Sequence, residues 1–169
     1  MRDDDGTVIR RIRPGDSGRY RDIRLKALQD APYAFGSTYE VEATRRDDEW
    51  VDRVASAAAG AQRAMFLAFH DGSCVGLAGG VEDDLGADRQ LVSMWVAPTH
   101  RGTGIAAGLV EAVLAWARDG GARTVALWVT RGNDRAQRFY ERMGFTVTGD
   151  VQPLPSDPCK DEVRMLRAL

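Results

Sequence analysis

Val96-Ala97-Pro98-Thr99-His100-Arg101-Gly102-Thr103-Gly104-Ile105-Ala106 is the stretch on which the reading of this chain turns. Before it, Gln90-Leu91-Val92-Ser93-Met94-Trp95-Val96 reads as a strand, stopped by Ala97-Pro98. After it, Ile105, Leu109, Val110, Val113, Leu114 and Trp116 recur at helical spacing until Gly120-Gly121. At the junction Gly102 and Gly104 carry no Cβ, so the backbone there can turn tightly and approach a ligand closely. The amides of Thr103, Gly104, Ile105 and Ala106 are then the unpaired donors of a first helical turn, and the helix dipole adds partial positive charge. Such a turn cradles an anion, a diphosphate fits it, and Arg101 offers a full charge to phosphate oxygens. A plain strand-to-helix turn is the competing reading of two glycines. The spacing is neither that of a Walker A loop nor that of a dinucleotide fingerprint in an opening strand-helix-strand unit.

Outward from this junction the period of the sequence alternates between strand and helix. Downstream, Thr124-Val125-Ala126-Leu127-Trp128-Val129 is a short apolar strand, so strand, helix and strand imply a parallel crossover. Asn133 or Asp134 caps a further helix through Phe139, Tyr140 and Met143, closed by Gly144. Phe145-Thr146-Val147-Thr148 and Glu162-Val163-Arg164-Met165-Leu166 supply two final strands. Upstream, Met65 to Phe69 and Cys74 to Val81 form a hairpin turning at His70-Asp71-Gly72-Ser73. Before it come a strand at Val8 to Arg13, a helix capped by Asp16 or Ser17 that buries Tyr20, Ile23, Ala27 and Leu28, and a helix carrying Trp50, Val51, Val54 and Ala55. Between those helices lies the apolar loop Pro32-Tyr33-Ala34-Phe35-Gly36, which either packs on the core or lines a pocket.

The 169 residues, 44% hydrophobic and 28% charged, suffice for one domain with a sizeable core. With a net charge of −2 no overall field draws the chain to nucleic acid or an anionic membrane. No run approaches the length of a membrane span, and Met1 to Gly6 lack the apolar core of a signal peptide, so a soluble, cytoplasmic protein is expected. Cys74, Cys159 and two histidines build neither a disulfide framework nor a metal site; no metal is expected.

The segment Val96 to Ala106 resembles the coenzyme A motif of the GNAT acetyltransferase superfamily, Arg/Gln-x-x-Gly-x-Gly/Ala after a Val-x-Pro strand end. Asn133-Asp134-Arg135-Ala136-Gln137-Arg138-Phe139-Tyr140-Glu141-Arg142-Met143-Gly144-Phe145 resembles that family's Asn-x-x-Ala-x-x-x-Tyr-x-x-x-Gly-Phe signature, and a Glu-x-x-Met strand follows from Glu162. The likeness runs over residues 7–169. It implies an α/β fold: a mixed, mostly antiparallel central sheet of six to seven strands with helices on both faces, and a cofactor entering where two strands diverge. It further implies acetyl-CoA as co-substrate and transfer of the acetyl group to the amine of a small molecule or peptide. Homodimerisation is compatible with it. An acyl-CoA-binding or sensing module without catalysis is the alternative.

The resemblance also assigns roles. Met94, Trp95 and Val96 would pair with the pantetheine arm through their backbone; Arg101, Gly102, Thr103, Gly104, Ile105 and Ala106 would hold the diphosphate; Asn133 and Ala136 would flank the arm. Tyr140 is the general-acid candidate, because a phenol with pKa near 10 is matched to a departing thiolate; packing against Phe139 is its bland reading. For a general base, Glu82 heads the candidates, with Asp83 and Asp84 beyond it, against the reading of a solvated acidic turn. Ser93 either orders a water or is a small buried residue. Tyr33 and Phe35 line the acceptor pocket, His70 and His100 are surface residues, and Trp95 and Trp128 are assigned to core packing.

Overall fold

A computed structural model describes residues 6–85 and 87–169. The expectation placed on Met1 to Gly6 therefore falls almost wholly outside the described residues, as does Gly86 of the acidic connection. Among the described residues seven strands form one sheet: β1 (Thr7–Arg11), β2 (Arg63–His70), β3 (Ser73–Glu82), β4 (Arg89–Val96), β5 (Thr124–Thr130), β6 (Thr146–Leu154) and β7 (Asp157–Ala168). Their order is β1-β2-β3-β4-β5-β7-β6, with only β4 and β5 parallel. The sheet is thus mixed and mostly antiparallel, as the sequence leads one to expect.

Among the described residues five α-helices cover it: α1 (Ser17–Asp30), α2 (Tyr39–Ala43), α3 (Asp47–Ala59), α4 (Ile105–Asp119) and α5 (Asp134–Arg142). The apolar stripes sort them onto two faces. Leu109, Val110, Val113 and Leu114 of α4 join Tyr140 of α5 and Val125, Leu127 and Met165 of the sheet in one core. Tyr20, Ile23, Ala27 and Leu28 of α1 and Trp50 and Val54 of α3 form the other with Leu67, Leu77 and Trp95. Close approach of α4 depends on Gly80, where an added Cβ would lie 2.4 Å from the Trp116 ring.

Three local expectations need correction. Asp16 precedes α1 without capping it through its side chain; it is buried and accepts from Arg10 at 2.7 and 3.0 Å and from the Arg13 amide at 2.8 Å. The short helix α2 arises in what reads as a polar stretch, started by Thr38, whose hydroxyl accepts from the Val41 amide. The final strands are longer than their apolar runs, because β6 is an exposed edge that pairs by backbone with β7 and tolerates Pro153 there. Among the described residues no helix is long and apolar enough to cross a membrane.

Candidate active site

The sheet opens at its middle. Asp88 ties the starts of β4 and β5 together: its Oδ2 accepts from the amides of Arg123 at 2.7 Å and Thr124 at 3.1 Å. Ladder pairing then extends only to Arg89 with Val125 and Gln90 with Ala126. On its other edge β4 carries a bulge, since Gly79 faces Val92 while Leu77 faces Trp95. Ser93 in that bulge has φ of 57°, a left-handed conformation costing a non-glycine residue about 1 kcal/mol. Bulges bend a strand and increase its twist, so β4 leaves β5 and a cleft of about 850 Å³ opens between them.

Gly102 and Gly104 stand at one end of this cleft with φ of 82° and 87°, and Gly104 is the N-cap of α4 in the left-handed region. These values explain why both positions are glycine. The first helical bond runs from the Gly108 amide to the Gly104 carbonyl, so the amides of Ile105, Ala106 and Ala107 precede any intrahelical partner. Open space lies within 4 Å of where a Cβ would stand on either glycine. The loop therefore has the free donors and the room that a phosphate needs.

Most residues singled out in the sequence converge on this cleft. Met94, Trp95, Val96, Arg101, Gly102, Gly104, Ala106, Asn133, Ala136 and Tyr140 line it, as do Tyr33 and Phe35. Several act differently from expectation. The Arg101 guanidinium turns back, donating through Nε to the Val96 carbonyl at 3.0 Å and through Nη2 to Asp30. Asp30 thus offsets the charge that Arg101 offers a ligand, while Nη1 stays without a partner among the described residues. Asp30, which also accepts from Trp95 Nε1 at 2.9 Å, is held below the usual carboxylate range by that indole bond first and then by Arg101. Thr103 does not line the cleft; its hydroxyl donates to the His100 carbonyl at 2.6 Å. The Ile105 side chain is core, so only its amide can serve the loop. Asn133 caps α5, its Oδ1 accepting from the Ala136 amide at 3.2 Å. Trp128 is half-buried and faces the cleft instead of the core.

Glu82 is the clearest correction. It lies exposed at the end of β3, opposite Arg89, with its carboxylate 3.8 Å from that guanidinium. That is the closed end of the β4 and β5 pair, and Glu82 does not line the cleft. Asp83 is no free base either. Its side chain, 1% exposed, pairs with Arg164 at 2.6 Å and accepts from the amides of Leu85 and Ala87. Asp84 is exposed outside the cleft. The two histidines also lie outside it and are partly buried, with ring centroids 5.1 Å apart.

Tyr140 sits where α5 meets the cleft, its ring edge-on to Phe139 and Phe145. Its hydroxyl has no hydrogen-bond partner among the described residues, and burial drives the phenol well above its ordinary pKa. Burial thus keeps the phenol protonated while making it a weaker acid than a solvated tyrosine.

Sequence reasoning missed the charged residues of the cleft. Glu162 is 8% exposed, accepts from Gln152 Nε2 at 2.6 Å, and is pushed above the usual carboxylate range by burial, against the opposing effect of that bond. Its place in the Glu-x-x-Met strand was the available signal. Arg24 and Glu42 are both buried there, and Arg135 and Arg142 of α5 line the cleft without an ion-pair partner among the described residues. Arg24 falls inside the stripe Tyr20, Ile23, Ala27, Leu28, and a charge in an apolar stripe is the signal that marked it.

Residues 24–145 match the family model described as the acetyltransferase (GNAT) family. The chain belongs to the GNAT family. Among GNAT relatives, an uncharacterized N-acetyltransferase of Mycobacterium tuberculosis (strain H37Rv) is 44% identical over 88 residues, 52% of this chain and 56% of that one. A mycothiol acetyltransferase of Thermobispora bispora is 30% identical over 151 residues, 84% of this chain and 47% of that one. The chain spans about half the length of these curated relatives. Of solved structures, a GNAT acetyltransferase from Streptococcus pneumoniae superposes with a TM-score of 0.78 at 20% identity, over 96% of this chain and 99% of that one. A Salmonella typhimurium protein solved with its cofactor acetyl-CoA gives 0.77 at 19% identity, over 96% and 94%. At these identities the likeness establishes the GNAT fold.

Proposed function

We propose that this chain transfers an acetyl group from acetyl-CoA to an amine. One juxtaposition carries the reading: the free amides at the start of α4, the unpaired edges of β4 and β5, and the unpartnered Tyr140 hydroxyl all face one cleft. The names of the GNAT relatives support it, as does the acetyl-CoA bound to the Salmonella typhimurium neighbour. The residues fit the cofactor. The Gly102 to Ala107 turn has donors and space for a diphosphate, Arg135 and Arg142 supply the cationic charge that Arg101 has committed elsewhere, and the splayed strands offer backbone groups to an extended arm.

Acetyl-CoA, when bound, supplies an activated thioester carbonyl. What the chain contributes is proton management and exclusion of water. Glu162, in place of Glu82, is the carboxylate able to take a proton from an ammonium group, because burial raises its proton affinity. Tyr140 Oη holds the proton that a departing thiolate requires. Tyr33 and Phe35 roof the site. Thr130 Oγ1 donates to the Tyr33 carbonyl and Ser156 Oγ donates to the Phe35 carbonyl, tying the roof to β5 and to the turn before β7.

Calorimetric titration with acetyl-CoA tests the loop. The wild type is expected to bind, and the double variant Gly104→Val/Ala106→Trp to lose at least about 100-fold in affinity, since a side chain at a φ of 87° is strained and a bulky one fills the cradle. Tyr140→Phe is expected to bind acetyl-CoA normally and to release free thiol from it about 10³-fold more slowly with an amine present. An unchanged turnover rate in Tyr140→Phe removes that residue from the chemistry. Absence of wild-type binding at millimolar acetyl-CoA overturns the reading altogether.

A further inference from the structure

The wall of the cleft on the α1 side holds more positive charge than it holds partners for. Arg24 reaches it from the middle of α1, and its side chain is only 6% exposed. Its Nη1 donates to Ser93 Oγ at 2.7 Å, and its guanidinium lies 4.8 Å from the centroid of the Phe35 ring. Nε is buried and has no hydrogen-bond partner. The nearest carboxylate, Glu42, stands at 3.9 Å from Nη2, beyond hydrogen-bond reach, and is already engaged. Arg53 Nη1 donates to Glu42 Oε2 at 2.6 Å and Arg45 Nε to the same oxygen at 2.9 Å. Three guanidinium groups thus share one carboxylate. Arg45 has Glu49 at 3.6 Å as a second partner, and Arg53 reaches water, but Arg24 has neither resource. A buried cation with an idle donor is unfavourable unless an anion completes it.

Resting on the acetyl-transfer reading, we propose that the acceptor carries a carboxylate beside its amine and that Arg24 binds that carboxylate. The turn at the start of α4 offers its own free amides to the cofactor's phosphates, so those phosphates do not call for Arg24. A second feature gives the acceptor its other charge. Glu162 lies across the roof loop from Arg24: Phe35 packs on Arg24, while Tyr33 is bonded to Thr130, which pairs with Glu162. One buried cation and one buried carboxylate flank the same loop, matching an acceptor with an anionic and a cationic end. A neutral amide or a simple amine leaves Arg24 as it is now. A carboxylate gives it a charge-assisted bond, and sites that satisfy such a group discriminate strongly against analogues lacking it.

The test uses matched triplets: an amino acid, its amide, and its decarboxylated amine, for several side chains. Each is assayed for thiol release from acetyl-CoA and, separately, titrated calorimetrically against the protein with no acetyl-CoA present. The acid is expected to exceed both analogues at least about tenfold in kcat/KM and in affinity. Arg24→Gln is expected to abolish that preference while acetyl-CoA affinity stays within about twofold, which also reports that the variant is folded; the wild-type triplets decide the matter even if it is not. Analogues that bind and react as well as the acid overturn the proposal, as does absence of binding by every member of the triplets. If acids alone bind but no compound releases thiol, the carboxylate site stands and the acetyl-transfer reading falls.

Discussion

The two ends of β4 are built from one strand and do opposite things. At its start, Asp88 joins β4 to β5, Arg89 and Gln90 pair across the parallel ladder, and the adjoining turn is locked by the buried Asp83 and Arg164 pair. Asp83 and Arg164 are paired at 2.6 Å there, Glu82 stands 3.8 Å from Arg89, and the Asp88 carboxylate is taken up by backbone amides. Past Gln90 the ladder to β5 ends, and beyond the Ser93 bulge the edges of β4 and β5 line the cleft. There a phenol has no partner, a guanidinium has an idle Nε, and a carboxylate is bonded only to an amide side chain. The contrast separates buried charge that holds the fold from the buried charge that the proposals above assign to a reactant. A counter-charge within hydrogen-bond reach marks the first, as in Asp83 with Arg164; Arg24 and Glu162 lack one.

Substitutions at the two ends should therefore fail in different ways. Glu162→Gln, at the open end, is expected to lower kcat/KM about 10³-fold and to remove the acid limb of its pH profile. Its effect on stability has the opposite sign. Because burial raises the Glu162 pKa in the folded state, the wild type is most favoured where the group is protonated, below the ordinary glutamate pKa, and loses ground as pH rises through the folded value. Urea unfolding should find the variant more stable than wild type at neutral pH and equal to it near pH 4. A variant that is less stable at neutral pH would place Glu162 among the structural charges.

Asp83→Ala, at the closed end, leaves Arg164 buried without its main partner. A loss of about 3 kcal/mol in unfolding free energy is expected, with acetyl-CoA affinity unchanged in the protein that remains folded. Weakened acetyl-CoA binding without destabilisation would dissolve the division between the two ends. The smallest effect is expected at Glu82, which is exposed and 3.8 Å from Arg89: Glu82→Gln should alter stability by less than about 0.5 kcal/mol and turnover by less than about twofold. A large loss of turnover there would restore it as a base.

What could be read from the chain followed from chemistry local in sequence. Alternating and helical periods mark the strands and the apolar faces of α1 and α4, because burial of a stripe leaves its spacing in the chain. Gly102 and Gly104 announce the loop, because a positive φ is adopted readily only without a side chain. Tyr140 was legible through its spacing from Asn133 and Gly144, although its unpartnered state was not. Glu82 was misjudged because the end of a strand says nothing about which end of the sheet opens. That depends on how far β4 pairs with β5, on Asp88 reaching residues 35 and 36 positions away, and on a left-handed serine that no local preference foretells. Arg24, Glu42 and Glu162 come from three distant segments, and only the packing of α1, α2 and β7 around the opening makes them neighbours of one cleft. The sequence by itself determined the order of the elements, their buried faces and the glycine turn that opens α4, since each rests on residues a few positions apart. The tertiary structure alone decided where the sheet splits and which buried charges remain unpaired, since both depend on contacts between segments distant along the chain.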